Sequence, residues 1–469
     1  MDAYLLHVVN HVMKTRTRVT KNNEALLKRA KAIEARSIHW DQGFVRPTVL
    51  ILTPMRSTAG RIVRRMLQLC PAAHGRADAV NKLDRFADDF GDGDSDDDDD
   101  DDGGGDDGGK KRKKAMWIPE DHKQVFRGNT DDHFRLGVKV TKASVRMYVD
   151  FFGSDVLVAS PLGLVTRLQE SGANASDFLS SLEVLIIDHA DVIAAQNWNH
   201  VVTTVQSVNA LPKETHGTDV MRVHETHLNG HAKHLRQTVL LSSHASAEMN
   251  ALMRNECANV EGRARWRETH AGVLGVAANS VRNAGGLRQQ FERVPDAPID
   301  RADDARFKHF TRRVLPKLRE NPQPGSLLFV RSYLDFVRVR NALTKAEVSF
   351  CVNSEYTDLK NGARARSLFA DGRKRVLLVT ERAHFYHRRR IRGVREVFFY
   401  SLPDREKFYS EMVSFLGDDA SDADGTRLSA PTANVAFSAY DALQLERVVG
   451  SKRAKKMLAP DANSTFIFT

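Results

Sequence analysis

The chain has 469 residues, 41% of them hydrophobic, which is enough for two or three soluble domains with their own cores. No apolar run is long enough to cross a membrane, and the first residues lack the apolar core of a secretory signal. The three cysteines are scattered, which excludes a disulfide framework and a cysteine-based zinc site. The formal net charge is +10, but 13 aspartates lie between Asp88 and Asp107, so the rest of the chain carries about +23. A body this basic, and rich in arginine, indicates a polyanionic partner.

The first half of the chain alternates between strand-like and helix-like patterns. Short apolar runs predict strands, and apolar residues at helical spacing predict the helices between them. The predicted elements are a helical region over 1–40, a strand at 48–52 with a helix after Ser57, a strand at 155–159 with a helix from Gly163, a strand at 184–187 with a helix over 191–208, and a strand at 238–241 with a helix over 247–257. This alternation predicts a doubly wound α/β lobe, which we assign to residues 1–258.

Two segments interrupt the predicted first lobe. Residues 88–114 join an Asp/Gly-rich tract, which cannot bury enough apolar surface to fold, to the basic cluster Lys110–Lys114. A disordered, solvated insertion is predicted there, and the basic cluster fits either nuclear targeting or an ordinary charged loop. Residues 213–235 contain four histidines between His224 and His234. Zinc binding is one interpretation, but no cysteine or paired acidic ligand supports it, so a polar insertion without a metal is favoured.

The second half repeats the alternation after a weakly patterned stretch. Residues 259–286 are rich in Arg, Gly, Ala and Asn, which predicts a linker between domains. Residues 287–469 then predict a second α/β lobe. Its predicted elements are strands at 326–330, 347–352, 375–380, 394–400 and 434–437 and helices at 333–345, 357–370, 404–416 and around 440–458.

The candidate catalytic residues directly follow the strand Val184–Ile187. Four apolar residues predict a strand buried on both faces of a parallel sheet, and Asp188 follows at the carboxyl end, where such sheets bind ligands. In nucleoside-triphosphate-driven motors, an Asp at this point holds Mg²⁺ and a neighbouring Glu orients the attacking water. Here His189 stands in place of that Glu, and Asp191 follows it.

The order of several segments resembles the DEAD-box RNA helicases. Thr53–Ala59 is similar to their first RNA-backbone motif, residues 188–191 stand where Asp-Glu-Ala-Asp would be, and the stretch Ser242, Ser243 and His244 is similar to Ser-Ala-Thr. The resemblance implies two RecA-like doubly wound lobes in a degenerate helicase core. In the second lobe, the segments that follow the helicase order are 327–332, 364–372, 376–380 and 393–403.

Three departures from the helicase pattern point away from catalysis. No phosphate-binding loop precedes the strand at 48–52; Lys14 and Thr15 stand at about the right distance, but in a helical context without glycine. His189 replaces the catalytic carboxylate, and residues 410–415 contain no arginine where an arginine-rich motif would stand. Loss of an arginine finger alone costs about 10³- to 10⁵-fold in rate. We therefore expect no enzymatic activity and no cofactor.

These losses, together with this layout, resemble the pseudo-helicase family of the small-subunit processome, also called the digestive organ expansion factor family. The likeness is close at His11–Arg16, at Gln196–Trp198 and from Thr380 to Gly393. It implies a nucleolar, non-catalytic scaffold that binds pre-ribosomal RNA, U3 small nucleolar RNA or both, together with ribosome-assembly proteins. The alternative is an active ATP-dependent RNA helicase with a divergent or missing phosphate-binding loop.

The helicase likeness also places RNA along the carboxyl ends of the strands in both lobes. Arginines at these ends are the predicted contacts, because a guanidinium can bind a phosphate through two parallel hydrogen bonds. Acidic protein partners are the alternative for the group at 388–392. The predicted RNA-binding residues are Arg56, Arg331, Arg382, Arg388, Arg389, Arg390 and Arg392.

Overall fold

The computed structural model divides into two compact units, which we call the first and second lobes. The first lobe comprises residues 1–112 and 123–265, and the second comprises 113–122 and 266–469. Among the described residues, no helix is both long and apolar enough to span a membrane. The predictions for residues 92–109 and for the basic cluster lie outside the described residues. The structure describes residues 1–32, 40–75, 78–91, 118–170, 172, 175–281, 286–417 and 431–469.

In the described part of the first lobe, a sheet of seven strands has the order β2-β4-β3-β5-β1-β6-β7. The strands are β1 (Val49–Leu52), β2 (Val80–Asn81), β3 (Arg135–Val140), β4 (Val145–Met147), β5 (Val156–Ala159), β6 (Val184–Ile187) and β7 (Gln237–Leu240). The helices are α1 (Asp2–Ala32), α2 (Arg56–Leu69), α3 (Leu83–Phe90), α4 (Glu120–Phe126), which crosses the boundary between the two units, α5 (Pro161–Glu170), α6 (Ala190–Ser207), α7 (Glu225–Leu228), α8 (Ala232–Leu235) and α9 (Ala247–Asn255). Strands β5, β1, β6 and β7 are parallel, whereas β3 runs antiparallel to β4 and β5.

Strand β1 shows why this lobe is doubly wound. Its four residues are fully buried. Val49 and Ile51 join the hydrophobic cluster that contains α1 and α2, whereas Leu50 and Leu52 join the cluster on the other face, with α5, α6 and α9. A continuous apolar run is typical of a strand covered on both faces, so the prediction of a doubly wound α/β lobe is confirmed.

The second lobe repeats this plan with a sheet in the order β10-β11-β9-β12-β13-β8-β14. The strands are β8 (Arg288–Arg293), β9 (Ser326–Val330), β10 (Phe350–Asn353), β11 (Val376–Thr380), β12 (Glu396–Phe399), β13 (Thr432–Phe437) and β14 (Thr465–Phe468). The helices are α10 (Leu274–Ser280), α11 (Ala302–His309), α12 (Leu315–Glu320), α13 (Tyr333–Lys345), α14 (Leu359–Ala370), α15 (Glu381–His387), α16 (Glu406–Ser414), α17 (Ala442–Val449) and α18 (Ser451–Met457). Alternate residues of β9 again enter two different clusters. Among the strands that the structure describes here, only β14 is antiparallel to its neighbour.

Two predicted boundaries differ from the structure. Helix α3 extends to Phe90, and both Phe86 and Phe90 are buried, so the prediction that the insertion begins at residue 88 is wrong. The predicted linker 259–286 is also wrong where it contains α10, because Leu274 and Ala277 belong to the core of the second lobe. In both places a few apolar side chains fix a stretch whose overall composition is polar or small.

The histidine-rich segment folds into short helical turns rather than a ligand cluster. His224 caps α7 by accepting a hydrogen bond from the backbone N–H of Thr226 at 3.3 Å. His227 is buried, and burial lowers the pKa of its imidazole. Within the described ranges, no group of three or more His, Cys, Asp or Glu is arranged to hold a metal ion.

Candidate functional site

Asp188 lies at the carboxyl end of β6, and both of its carboxylate oxygens accept hydrogen bonds. Tyr4, at the start of α1, donates its hydroxyl to Oδ2 at 2.6 Å. The backbone N–H of His189 donates to Oδ1 at 2.8 Å, and the His189 ring lies 3.2 Å from the same oxygen. Burial alone would raise the pKa of Asp188, but the hydrogen bonds from His189 and Tyr4 together lower it. Asp188 is therefore an ionised carboxylate held by protein donors.

Asp191 and Ser243, two of the predicted motif positions, meet in the fold. Asp191 is buried and accepts hydrogen bonds from the Ser243 hydroxyl at 2.8 Å and from its backbone N–H at 3.2 Å. Ser242 instead donates its hydroxyl to the carbonyl of His244 at 2.6 Å, which closes the turn after β7. The hydrogen bonds between Asp191 and Ser243 connect the start of α6 to the loop after β7 within the first lobe.

Lys14 and Thr15 lie far from this group. Helix α1 runs from Tyr4, at the carboxyl end of β6, towards Arg16, whose Nε lies 3.6 Å from Asp155 just before β5. Ten residues of α-helix span about 15 Å, so Lys14 lies near the opposite edge of the sheet from Asp188. Lys14 and Thr15 lie within α1, which is the helical context that the sequence predicts, whereas a phosphate loop would have to meet the carboxyl ends of the strands, near Tyr4.

Arg56 lies at the carboxyl end of β1, at the first position of α2. Its Nε donates to Asp131 at 2.6 Å, and a terminal nitrogen donates to the carbonyl of His133 at 3.0 Å. The guanidinium also lies 5.4 Å from the centre of the Phe90 ring. Arg56 therefore has partners within its own lobe and remains about one-quarter exposed, at 23%.

In the second lobe, Arg331 and Arg382 follow β9 and β11. Arg331 is 31% exposed and lies 3.6 Å from Asp404 and 3.7 Å from Asp441. The guanidinium of Arg382 lies 5.9 Å from the centre of the Tyr386 ring. Both arginines stand at the sheet edge that the helicase likeness assigns to RNA, and both have contacts with neighbouring side chains.

Arg388 is buried and only 2% exposed. Its Nε and a terminal nitrogen donate to the two carboxylate oxygens of Glu411 at 2.7 and 2.5 Å, and Asp121 accepts a third bond at 3.1 Å. Burial alone would raise the pKa of Glu411, but hydrogen bonds from Arg388 and His384 lower it to about 2. Because its guanidinium is enclosed and bonded to two carboxylates, we remove Arg388 from the proposed RNA contacts.

The chain conformation explains why Arg388 differs from the arginines after it. Arg388 ends α15 in the left-handed region, with φ of 44°, which turns its side chain into the lobe. Arg390 and Arg392 are exposed, and Arg389 is half-buried. Glu411 stands on α16, in the stretch where a helicase would carry an arginine-rich motif.

Glu381 is a further titratable group that sequence reasoning did not find. It begins α15 and is buried, and its carboxyl accepts hydrogen bonds from the backbone N–H of Asp404 at 2.9 and 3.2 Å. Burial, followed by the charge of Asp404, raises the pKa of Glu381 to about 8. At neutral pH most of this carboxyl is protonated, so it adds little negative charge to the edge that carries Arg331.

Two family models match the chain. The model described as "UTP25, NTP hydrolase-like domain" matches residues 1–264, and the model described as "Utp25, C-terminal domain" matches residues 281–468. The chain belongs to the UTP25 family. The two matches cover nearly all of both lobes.

This UTP25-family chain is similar to named proteins along almost its whole length. It is 41% identical to "Protein NUCLEOLAR FACTOR 1" of Arabidopsis thaliana, with 99% of this chain and 60% of that protein covered. It is 40% identical to "U3 small nucleolar RNA-associated protein 25" of Arthroderma benhamiae, with 100% and 62% covered. The Xenopus tropicalis homolog is 37% identical, with 98% and 57% covered. The chain thus spans about 60% of the length of these relatives.

Solved DEAD-box structures also align with this UTP25-family chain at low identity. The DEAD box protein of Methanococcus jannaschii is 12% identical, with 90% of this chain and 80% of that chain covered and a TM-score of 0.27. S. cerevisiae Dbp5 bound to RNA and ADP BeF3 is 12% identical, with 88% and 76% covered and a TM-score of 0.28. The family assignment rests on the two family models and on the named relatives.

Proposed function

We propose that this UTP25-family chain is a non-catalytic scaffold of the small-subunit processome that binds RNA and assembly proteins in the nucleolus. Two relatives are named for association with U3 small nucleolar RNA, and a third is named as a nucleolar factor. By this proposal its partners are pre-ribosomal RNA, U3 small nucleolar RNA or both, together with ribosome-assembly proteins. Its role is early processing of pre-ribosomal RNA and assembly of the small subunit.

The proposal that the chain is non-catalytic is supported by the carboxylate of Asp188, at the end of β6, whose oxygens already accept hydrogen bonds from the protein. In a nucleotide-driven motor this Asp must offer oxygens towards Mg²⁺ and its water ligands. Here Tyr4 and the backbone of His189 bond both oxygens of Asp188. The imidazole of His189 also supplies no carboxylate to orient an attacking water.

A nucleotide-hydrolysis assay directly tests the proposal that the chain is non-catalytic. We expect no RNA-stimulated ATP hydrolysis by the purified chain, beside an active DEAD-box helicase as positive control. Tyr4→Phe releases one oxygen of Asp188, and we expect this variant to be equally inactive because the catalytic carboxylate is still missing. Lys14→Ala serves as a control without effect. Hydrolysis that disappears in Asp188→Ala or His189→Ala would instead support the active helicase.

The RNA-binding part of the proposal assigns phosphate contacts to Arg390 and Arg392 first. Both are exposed just beyond the end of α15, where a guanidinium can reach a phosphate from solvent. The half-buried Arg389 is a secondary contact. Arg56, Arg331 and Arg382 stand at the strand ends and complete the proposed set.

Capture of the tagged chain from cells tests the assembly itself. At moderate salt we expect enrichment of U3 small nucleolar RNA and pre-ribosomal RNA together with assembly proteins. Replacing Arg390 and Arg392 with Ala should reduce RNA recovery, because each lost phosphate contact weakens binding regardless of sequence. Arg301→Ala is the matched control, since Arg301 is 79% exposed outside the strand ends. Recovery of neither RNA from the wild-type chain would overturn the proposed function.

A further inference from the structure

Tyr356 is an exposed ring on a rigid support. It is 72% exposed, in the turn between β10 and α14. That turn is closed by three bonds between Ser354 and Thr357: the Thr357 N–H donates to the Ser354 carbonyl at 2.9 Å, the Ser354 N–H donates to the Thr357 hydroxyl at 3.0 Å, and the two hydroxyls are 3.1 Å apart. The backbone around Tyr356 is therefore fixed before any ligand binds.

A second tyrosine braces this ring. Tyr333 meets Tyr356 with centroids 4.8 Å apart and ring planes inclined at 66°. Tyr333 in turn stacks on Phe336 at 5.6 Å, and Phe336 is buried in the core of the lobe. A chain of three rings thus leads from the core to the surface and presents an aromatic face to solvent in a fixed orientation.

The topology places basic residues at the same end of the sheet as this ring. Strand β11 lies between β10 and β9, so the three carboxyl ends are neighbours at one edge of the sheet. Tyr356 follows β10, Arg382 follows β11 and Arg331 follows β9. Lys360, in the first turn of α14, is exposed as well.

The nearby acidic groups are engaged internally. The carboxylate of Glu355 accepts the hydroxyl of Thr380 at 2.7 Å, and the carboxylate of Asp358 accepts the backbone N–H of Asn361 at 2.8 Å. Both carboxylates remain in the turn that carries Tyr356, and the basic side chains stand at the neighbouring strand ends and in the first turn of α14. An aromatic face together with basic side chains is the combination that binds single-stranded nucleic acid. Leu334 and Leu359, which follow Tyr333 and Tyr356 in the chain, are also exposed, at 77% and 56%, so the braced ring and the basic strand ends favour a base, and a protein surface is an outcome of the test.

We propose that Tyr356, braced by Tyr333, stacks on a base of single-stranded RNA; the two residues are here called the tyrosine platform. This inference rests on the proposed RNA-binding function. It identifies a residue that contacts a base, whereas the proposed arginines contact phosphates. Stacking tolerates any base sequence, because every base has a π-face. The platform would hold an unpaired RNA segment while the arginines hold its backbone.

Binding to a fluorescein-labelled oligouridylate of about 12 nucleotides tests the platform. We expect Tyr356→Ala to weaken binding by about 5- to 100-fold and to leave the salt dependence unchanged, because no phosphate contact is lost. Tyr356→Phe keeps the aromatic face and should bind like the wild type. Tyr440→Ala, which removes a 49% exposed ring elsewhere in the lobe, should have no effect.

An abasic oligomer of the same length separates stacking from charge. The wild type and Tyr356→Ala should bind it equally, because it offers phosphates but no base. Equal binding of the oligouridylate by the wild type and Tyr356→Ala overturns the platform, and so does an equal loss on the abasic oligomer. If the Ala variant of Arg390 and Arg392 still weakens binding and flattens the salt dependence by about 0.7 log units per contact, only the platform is wrong. If no variant changes RNA binding, the proposed RNA function is wrong too.

A protein partner is the remaining outcome. Leu334 is 77% exposed at the start of α13 and offers apolar surface without an aromatic face. Loss of the same protein from particles captured with Tyr356→Ala and with Leu334→Ala, at unchanged RNA affinity, would make this edge a protein interface and overturn the platform. All variants change exposed side chains, and their thermal unfolding should match that of the wild type.

Discussion

Replacing Arg388 with Met is expected to lower the free energy of unfolding of the second lobe by about 3–5 kcal/mol. The substitution leaves the carboxylate of Glu411 buried without the guanidinium that compensates it, and it also removes the bond to Asp121. A buried charge without its partner is one of the few single changes with so large an effect. Denaturant unfolding of the full chain, followed by far-UV circular dichroism, measures the loss.

The neighbouring arginine provides a matched control for this prediction. Arg390→Met makes the same chemical change at an exposed position two residues away and should alter stability by no more than about 0.5 kcal/mol. Adding Glu411→Leu to Arg388→Met should recover part of the loss, because the double variant buries no unpaired carboxylate. Equal stability of the Arg388 and Arg390 variants would contradict the structural role and would return Arg388 to the set of possible RNA contacts.

The stability of the second lobe is expected to fall as pH rises from about 4.5 to about 8 because of Glu381. Its pKa is raised to about 8 in the folded lobe from an ordinary value of 4.5, so the protonated carboxyl favours folding. This contribution is fully present below pH 4.5 and is lost as the pH passes through the folded pKa. The shift corresponds to at most about 5 kcal/mol. Denaturant unfolding at about pH 5 and about pH 9 measures it.

Glu381→Gln isolates this effect from other titrations. The amide keeps a carbonyl oxygen that accepts from the Asp404 N–H, and it cannot ionise, so the variant should lose most of the fall in stability at high pH. Exposed Glu320→Gln is the control and should retain the wild-type pH profile. An unchanged profile in Glu381→Gln would show that Glu381 does not govern the pH dependence.

The sequence alone determined most of the parallel strands and the helices that directly follow several of them. Val184–Ile187 was predicted as a buried strand and is β6, because a strand covered on both faces must be apolar throughout. The same reasoning placed β9 at 326–330 and α13 at 333–345, as the structure has them. The polar strand β8 was not predicted, since its buried Gln289 depends on Tyr409, whose hydroxyl donates to it at 2.9 Å from a distant helix.

Only the tertiary structure decided what the polar residues do. The sequence indicated that His189 replaces a catalytic carboxylate, but it gave no sign that Tyr4, 184 positions from Asp188, bonds the acid beside it. Four nearby arginines look alike in sequence, yet Arg388 turns inward at a left-handed residue and meets Glu411, whereas Arg390 remains exposed. Buried apolar residues recur at the spacing of a helix or a strand, so the sequence alone shows which residues are buried. Partners of buried charges come from segments far apart in the chain, and their pairing is fixed only when the two α/β lobes fold.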